Sequence, residues 1–128
     1  MTDKSNETAI RDLIDDWSEA IQNGEIDRVV ANRTKDIIMF DVPEPIQETG
    51  IDAYRETWKL FFAHNKAGPD CFRISELKIV AGDQVAFAHG LLTIGGGDAH
   101  CRLTIGFRKT ETKWRVVHEH HSIPISLR

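Results

Sequence analysis

Apolar residues near the start of the chain fall at helical spacing. Ile10, Leu13, Ile14, Trp17 and Ile21 recur three or four apart, which predicts an amphipathic helix over residues 6–23. Ser5 or Asn6 is placed to cap it and Asn23-Gly24 to end it. Ile26, Val29 and Val30 predict a short second helix. The segment DIIMFD, Asp36 to Asp41, is short, apolar and β-branched, so it predicts a strand, and Pro43 and Pro45 then force a loop. Ile51, Tyr54, Trp58, Phe61 and Phe62 return to spacings of three and four, which predicts a third helix.

After Gly68-Pro69 the period changes to two. Phe72 and Ile74 alternate, then Leu77 and Ile79 alternate on the other parity, which predicts a bulge near Ser75-Glu76. Residues 84–94, 99–109 and 113–123 predict three more strands, with Gly95 to Gly97 a loop and a tight turn around Thr110 to Lys113. Helices first and strands last argue for an α+β fold, with the helices on one face of an antiparallel sheet.

The 128 residues fit one domain, 1–128, large enough to bury a core without disulfides. A net charge of −4 and the lack of any lysine or arginine run exclude a general nucleic-acid partner. The opening MTDKSNETAIRDLIDDW is polar and acidic, and no stretch is long and apolar enough to span a bilayer, so no membrane partner is expected. Cys71 and Cys101 lie in apolar, strand-like segments and read as buried free thiols in a reducing compartment. The expected location is the cytoplasm.

The element order, with its proline-rich loop before the third helix, resembles the nuclear transport factor 2-like superfamily. Phe40-Asp41-Val42-Pro43-Glu44-Pro45 followed by Gly50-Ile51-Asp52-Ala53-Tyr54 resembles the SnoaL-like and ketosteroid isomerase-like proteins. Trp114 to Ser122, WRVVHEHHS, resembles that group and also the association domain of calcium/calmodulin-dependent kinase. The resemblance implies a cone-shaped, cystatin-like barrel: a curved, mostly antiparallel sheet whose pocket is closed by about three N-terminal helices. It also implies a homodimer formed through the outer face of the sheet.

Strand alternation puts Trp114, Val116, His118, His120 and Ser122 on one face of the last strand, and Arg115, Val117, Glu119 and His121 on the other. The resembled families turn Val117, Glu119 and His121 into the pocket, which leaves Trp114, His118 and His120 on the dimer face. The same matching puts His89 and Ile105 at the places of two further pocket arginines and Tyr54 at that of a pocket histidine. Arg102 and Thr104 share a face opposite Leu103, Ile105 and Phe107, and the hairpin register decides which set faces inward. In the isomerases the general base is an aspartate nine residues before a glycine, which here is Asp41 before Gly50. Their two oxyanion donors fall on Trp17 and on Thr104 or Ile105. Losing one such donor costs on the order of a hundredfold in rate, which argues against steroid isomerisation itself.

Each candidate has a plain structural alternative. Asp41 is either a base in an apolar cavity or a loop carboxylate holding a turn. Glu119 and His121 form either an acid/base pair or a hydrogen-bonded polar cluster; their titrations should be coupled, with the sign left open between burial and charge. Tyr54, Trp58, Phe61 and Phe62 serve both as core and as the cavity roof. His118, Glu119, His120 and His121 lack the further ligands a zinc site needs, so no metal is expected. Gly95 to Gly97 precede a strand and not a helix, so they carry no phosphate-binding signal, and no cofactor is expected.

The expected function is binding of a small organic molecule in a pocket lined by Trp17, Asp41, Tyr54, Trp58, His89, Ile105, Glu119 and His121. Any chemistry would use Asp41 or His121 to abstract a proton next to a carbonyl or to activate a water, as in isomerases, cyclases and lyases that need no cofactor. The alternative is a domain that only assembles or carries a ligand.

Overall fold

The structure is a computed structural model and describes residues 4–128. Helices α1 (Lys4–Asn23) and α2 (Ile26–Val30) lead into strand β1 (Arg33–Phe40). A two-residue strand β2 (Glu48–Thr49) and helix α3 (Ile51–His64) follow. Four strands complete the chain: β3 (Arg73–Ala81), β4 (Val85–Thr93), β5 (Cys101–Thr110) and β6 (Lys113–Ser122). They form one curved, unclosed sheet in the order β2-β1-β6-β5-β4-β3. Only the β1–β6 pair is parallel. This is the α+β architecture that the pattern predicts.

Ile10, Ile14, Trp17 and Ile21 of α1 are buried, so the apolar stripe faces the sheet, where the helix lies against β3. Gly24, at φ 70°, ends the helix and donates its N–H to Ile21 O at 3.1 Å, in a conformation that favours glycine. Asn6 is not a cap. It is buried in the first turn, and its Oδ1 accepts from Lys109 Nζ at 2.9 Å and Trp114 Nε1 at 3.1 Å. That contact ties the start of α1 to the β5–β6 hairpin.

Two bulges set which side chains face inward. The first, between Ser75 and Lys78, lies at the predicted place, with Glu76 at φ 53°. Gly90 stands across from it, where an added Cβ would come within 3.0 Å of Ser75 O. The second is on β6. Gly106 pairs with His118 and Phe107 with Val116, so Val117 is the extra residue.

The Val117 bulge corrects the simple alternation. Trp114 and Val116 face the core, while Glu119 and His121 face inward on the opposite parity. Trp114 therefore does not belong to the outer face. His118 and His120 do stand there, on either side of Phe40 with ring centroids 4.8 and 5.2 Å away. On β5 the buried set is Cys101, Leu103, Ile105 and Phe107, and Arg102 and Thr104 are exposed.

Candidate functional site

Strands β1 and β6, the residue after β1 and helix α3 bring five ionisable or hydroxylic side chains into one chain of contacts. It begins at Arg33, the first residue of β1, which is buried. Arg33 Nε donates to Tyr54 Oη at 2.9 Å, and the guanidinium lies over the Trp17 ring, 5.0 Å from its centre. Trp17 Nε1 also donates to Tyr54 Oη, at 3.1 Å. With both lone pairs engaged, the Tyr54 hydroxyl donates its own proton to Glu119 Oε1 at 2.8 Å. Arg33 Nη2 lies 3.5 Å from the same oxygen.

Glu119 is 0% exposed. Its second oxygen lies 2.9 Å from His121 Nε2, but neither atom is aligned for a hydrogen bond, so the contact acts as an ion pair. His121 Nδ1 faces Asp41 Oδ1 at 3.3 Å, and that oxygen also accepts the Val42 N–H at 2.8 Å. Two cations, Arg33 and His121, thus alternate with two carboxylates, Glu119 and Asp41.

Burial is the largest influence on His121 and favours its neutral form, but Asp41 and Glu119 together outweigh it and push the pKa up to about 9. The sign of the coupling is therefore upward. Burial likewise works to raise the carboxyls, yet His121, joined at Glu119 by Arg33 and Tyr54, holds both below the ordinary carboxylate value. Burial, followed by the charge of Glu119 acting against that of Arg33, pushes the Tyr54 phenol far up, so it stays a neutral donor.

A cavity of about 420 Å³ opens over the Asp41–His121 end of this network. Trp58, Leu60 and Phe61 of α3 form one wall, and Phe72, Ile94 and Cys101 contribute to the others. Of the expected pocket residues, Asp41, Trp58 and His121 line the cavity. Trp17, Tyr54 and Glu119 lie behind it as the buried support of His121. Ile105 is plain core. His89 is displaced: it is exposed on the other face of the sheet, stacked on Phe87 at 6.3 Å. Ala86, Ala88, Gly90 and Leu92 are the inward positions of β4, so alternation sends His89 outward.

The SnoaL-like domain profile matches residues 10–126. The chain belongs to the SnoaL-like domain family. A nuclear transport factor 2-like protein of unknown function from Pseudomonas putida is 30% identical over all of this chain and 93% of its own, with a TM-score of 0.90. Two more distant structures share the fold. A candidate ketosteroid isomerase from Parabacteroides distasonis is 18% identical, covering 93% of this chain and 88% of its own at a TM-score of 0.72. A candidate dehydratase of the nuclear transport factor 2-like family from Streptomyces avermitilis is 10% identical, covering 97% and 100% at 0.78. No curated protein matches the chain.

In this SnoaL-like domain the residue that pattern reading missed is Arg33. It precedes the apolar run of its strand and carries no periodic signal. The one usable clue was indirect: an inward Glu119 requires a buried cationic or hydrogen-bonding partner. Among the described residues no helix is long and apolar enough to cross a membrane.

Proposed function

We propose that this SnoaL-like domain binds a small, mainly apolar organic molecule and moves a proton next to a carbonyl, with Asp41 as the base. The observation that carries this reading is the sharing of Asp41 Oδ1 and Oδ2. Oδ1 is taken up by His121 and the Val42 N–H, while Oδ2 meets no partner among the described residues; the Asp41 side chain lines the cavity and is 19% exposed. His121 is unsuited to the base role. Both its ring nitrogens face carboxylates, and with a pKa near 9 it is an imidazolium at neutral pH with no free lone pair. Its charge keeps Asp41 ionised and oriented. A carboxylate held below its ordinary pKa is a weak base, so any exchange it drives is slow unless the carbonyl oxygen is polarised as well.

The test is exchange of α-carbon protons of small ketones in deuterated buffer, followed by NMR. Asp41→Asn should lose about a hundredfold or more of any enzyme-dependent exchange. Ligand binding with no exchange above buffer would overturn the catalytic reading and favour a carrier.

The outer sheet face favours self-association. Val80 and Phe87 are directly paired across β3 and β4, are 52% and 46% exposed, and lie near exposed Val85. A homodimer through this face would cover them together with His118 and His120. Light scattering should give twice the monomer mass at micromolar concentration, and a monomer would remove this part of the reading. The buried free thiols Cys71 and Cys101 fit a reducing compartment such as the cytoplasm.

A further inference from the structure

The outer face of the sheet carries a histidine pair that the cavity does not use. His118 and His120 stand two residues apart on β6, on one side of the strand, with ring centres 6.3 Å apart. Phe40 packs edge-on against both rings. His118 is fixed from behind, where Nδ1 donates to Ile38 O at 2.7 Å. A carbonyl only accepts, so Nδ1 holds the proton and Nε2 keeps its lone pair. That Nε2 makes no hydrogen bond among the described residues, and it is not closed off from solvent. His120 is exposed, and among the described residues it makes ring contacts alone, with Phe40 and His118.

This arrangement is the one that prepares an imidazole for a metal ion. A ligating histidine typically gives its other N–H to a backbone carbonyl or a carboxylate, which sets the tautomer and aims the ring. A purely structural role would account for His118 but not for the ring of His120 beside it. Only a neutral imidazole binds a metal, and burial, followed by His118 and His121, lowers the His120 pKa and favours that form. A tetrahedral ion with bonds of about 2.0–2.1 Å holds two ring centres roughly 5 Å apart, so small side-chain rotations would close the pair.

Two ligands are too few. Zinc takes four protein ligands in a closed site and three where one position stays open. Among the described residues no group of three metal-binding side chains forms, so the missing ligands belong to another molecule. A twofold interface doubles every residue beside its axis, and two copies meeting over β6 bring together four imidazoles. The surface beside the pair permits close approach. Gly106, directly across from His118, offers no side chain, and exposed Phe87 and Val80 continue the same row across β4 and β3.

We propose that His118 and His120 are half of a metal site for a divalent ion that takes imidazole, such as zinc, completed by the same two residues of a second copy. This rests on the self-association reading above and adds the ion and its ligands.

The test titrates zinc chloride into protein first stripped with EDTA, following bound zinc and molar mass together. One zinc should bind per two chains. With zinc at about ten times its dissociation constant, dimerisation should tighten about tenfold, and EDTA should reverse it. In nitrogen-15 spectra of the unaltered protein the His118 Nε2 resonance should move while Nδ1 keeps its proton. His120→Gln, at an exposed position, should weaken zinc by at least the roughly tenfold that loss of an outer partner already costs. Three results would overturn the site: one zinc per chain with no change in mass, zinc binding that His120→Gln leaves intact, or an unmoved His118 Nε2. A dimer that forms in EDTA and ignores zinc would remove the metal and leave self-association standing. A monomer at micromolar concentration, with and without zinc, would overturn both.

Discussion

His120 and His121 are adjacent in the chain and opposite in environment. His121 faces inward between Asp41 and Glu119 and is pushed up to about 9. His120 faces outward beside Phe40, and burial followed by the charges of His118 and His121 lowers its pKa. Burial works downward on both rings, so burial alone does not explain the difference. Asp41 and Glu119 reverse its effect at His121, while the neighbouring imidazoles His118 and His121 add to it at His120. One step along a strand is thus enough to turn a standing cation into an ordinary neutral imidazole at pH 7.

The strongest way to break this contrast is to remove the carboxylate that the inner face depends on. Glu119→Gln keeps the shape but leaves Arg33 and His121 with one buried anion fewer. Breaking a buried pair from one side costs about 3–5 kcal/mol. For a chain of this size that is a fall in Tm of roughly 10 °C or more. The His121 pKa, followed by NMR, should drop from about 9 towards its unperturbed value. A thermal midpoint within about 2 °C of that of the unaltered protein would mean that the Arg33–Glu119–His121 contacts contribute little.

The second test varies pH in place of sequence. The folded pKa of His121 lies above the unfolded one, near 6.5. Its stabilising contribution is therefore complete below about pH 6.5 and disappears as pH rises through about 9. With a shift of that size, roughly 2.5 kcal/mol present at pH 7 should be gone by about pH 10. Asp41 and Glu119 have the opposite sense, because their folded values are depressed. Their contribution is present at neutral pH and is lost as pH falls through those lowered values. Urea midpoints measured from pH 6 to 10 should decline for the unaltered protein, and His121→Phe should flatten the alkaline decline.

The two faces were unequally legible in the sequence. Period was enough to turn Glu119 and His121 inward, because both lie beyond the Val117 bulge on one continuous parity, and the resemblance set Asp41, just past the end of β1, near them. Trp114 lies before that bulge, and alternation carried through it put the ring on the wrong side. A bulge at Val117 has no turn residue to announce it, unlike Ser75-Glu76, where the apolar parity itself changes. His89 was misplaced for a different reason. Matching by position ignored the alternation of β4, in which small Ala86, Ala88 and Gly90 face inward while Phe87 faces outward.

The smallest expected effect lies on the outer face and tests whether it works by the same rules. His118 Nδ1 donates to Ile38 O at 2.7 Å, and its ring lies 6.3 Å from that of His120. His118→Gln removes one partly buried hydrogen bond, worth about 1 kcal/mol. It also removes one of the two like charges that lower His120. Burial, the larger cause, stays, and so does His121. The His120 pKa should therefore rise only part of the way back and remain below 6.5. NMR titration of the imidazole resonances reads this directly. A rise of His120 above 6.5 would mean that charge and not burial sets the outer face. The two sides of β6 would then differ only in the sign of their neighbours, and depth in the fold would have no part in the contrast.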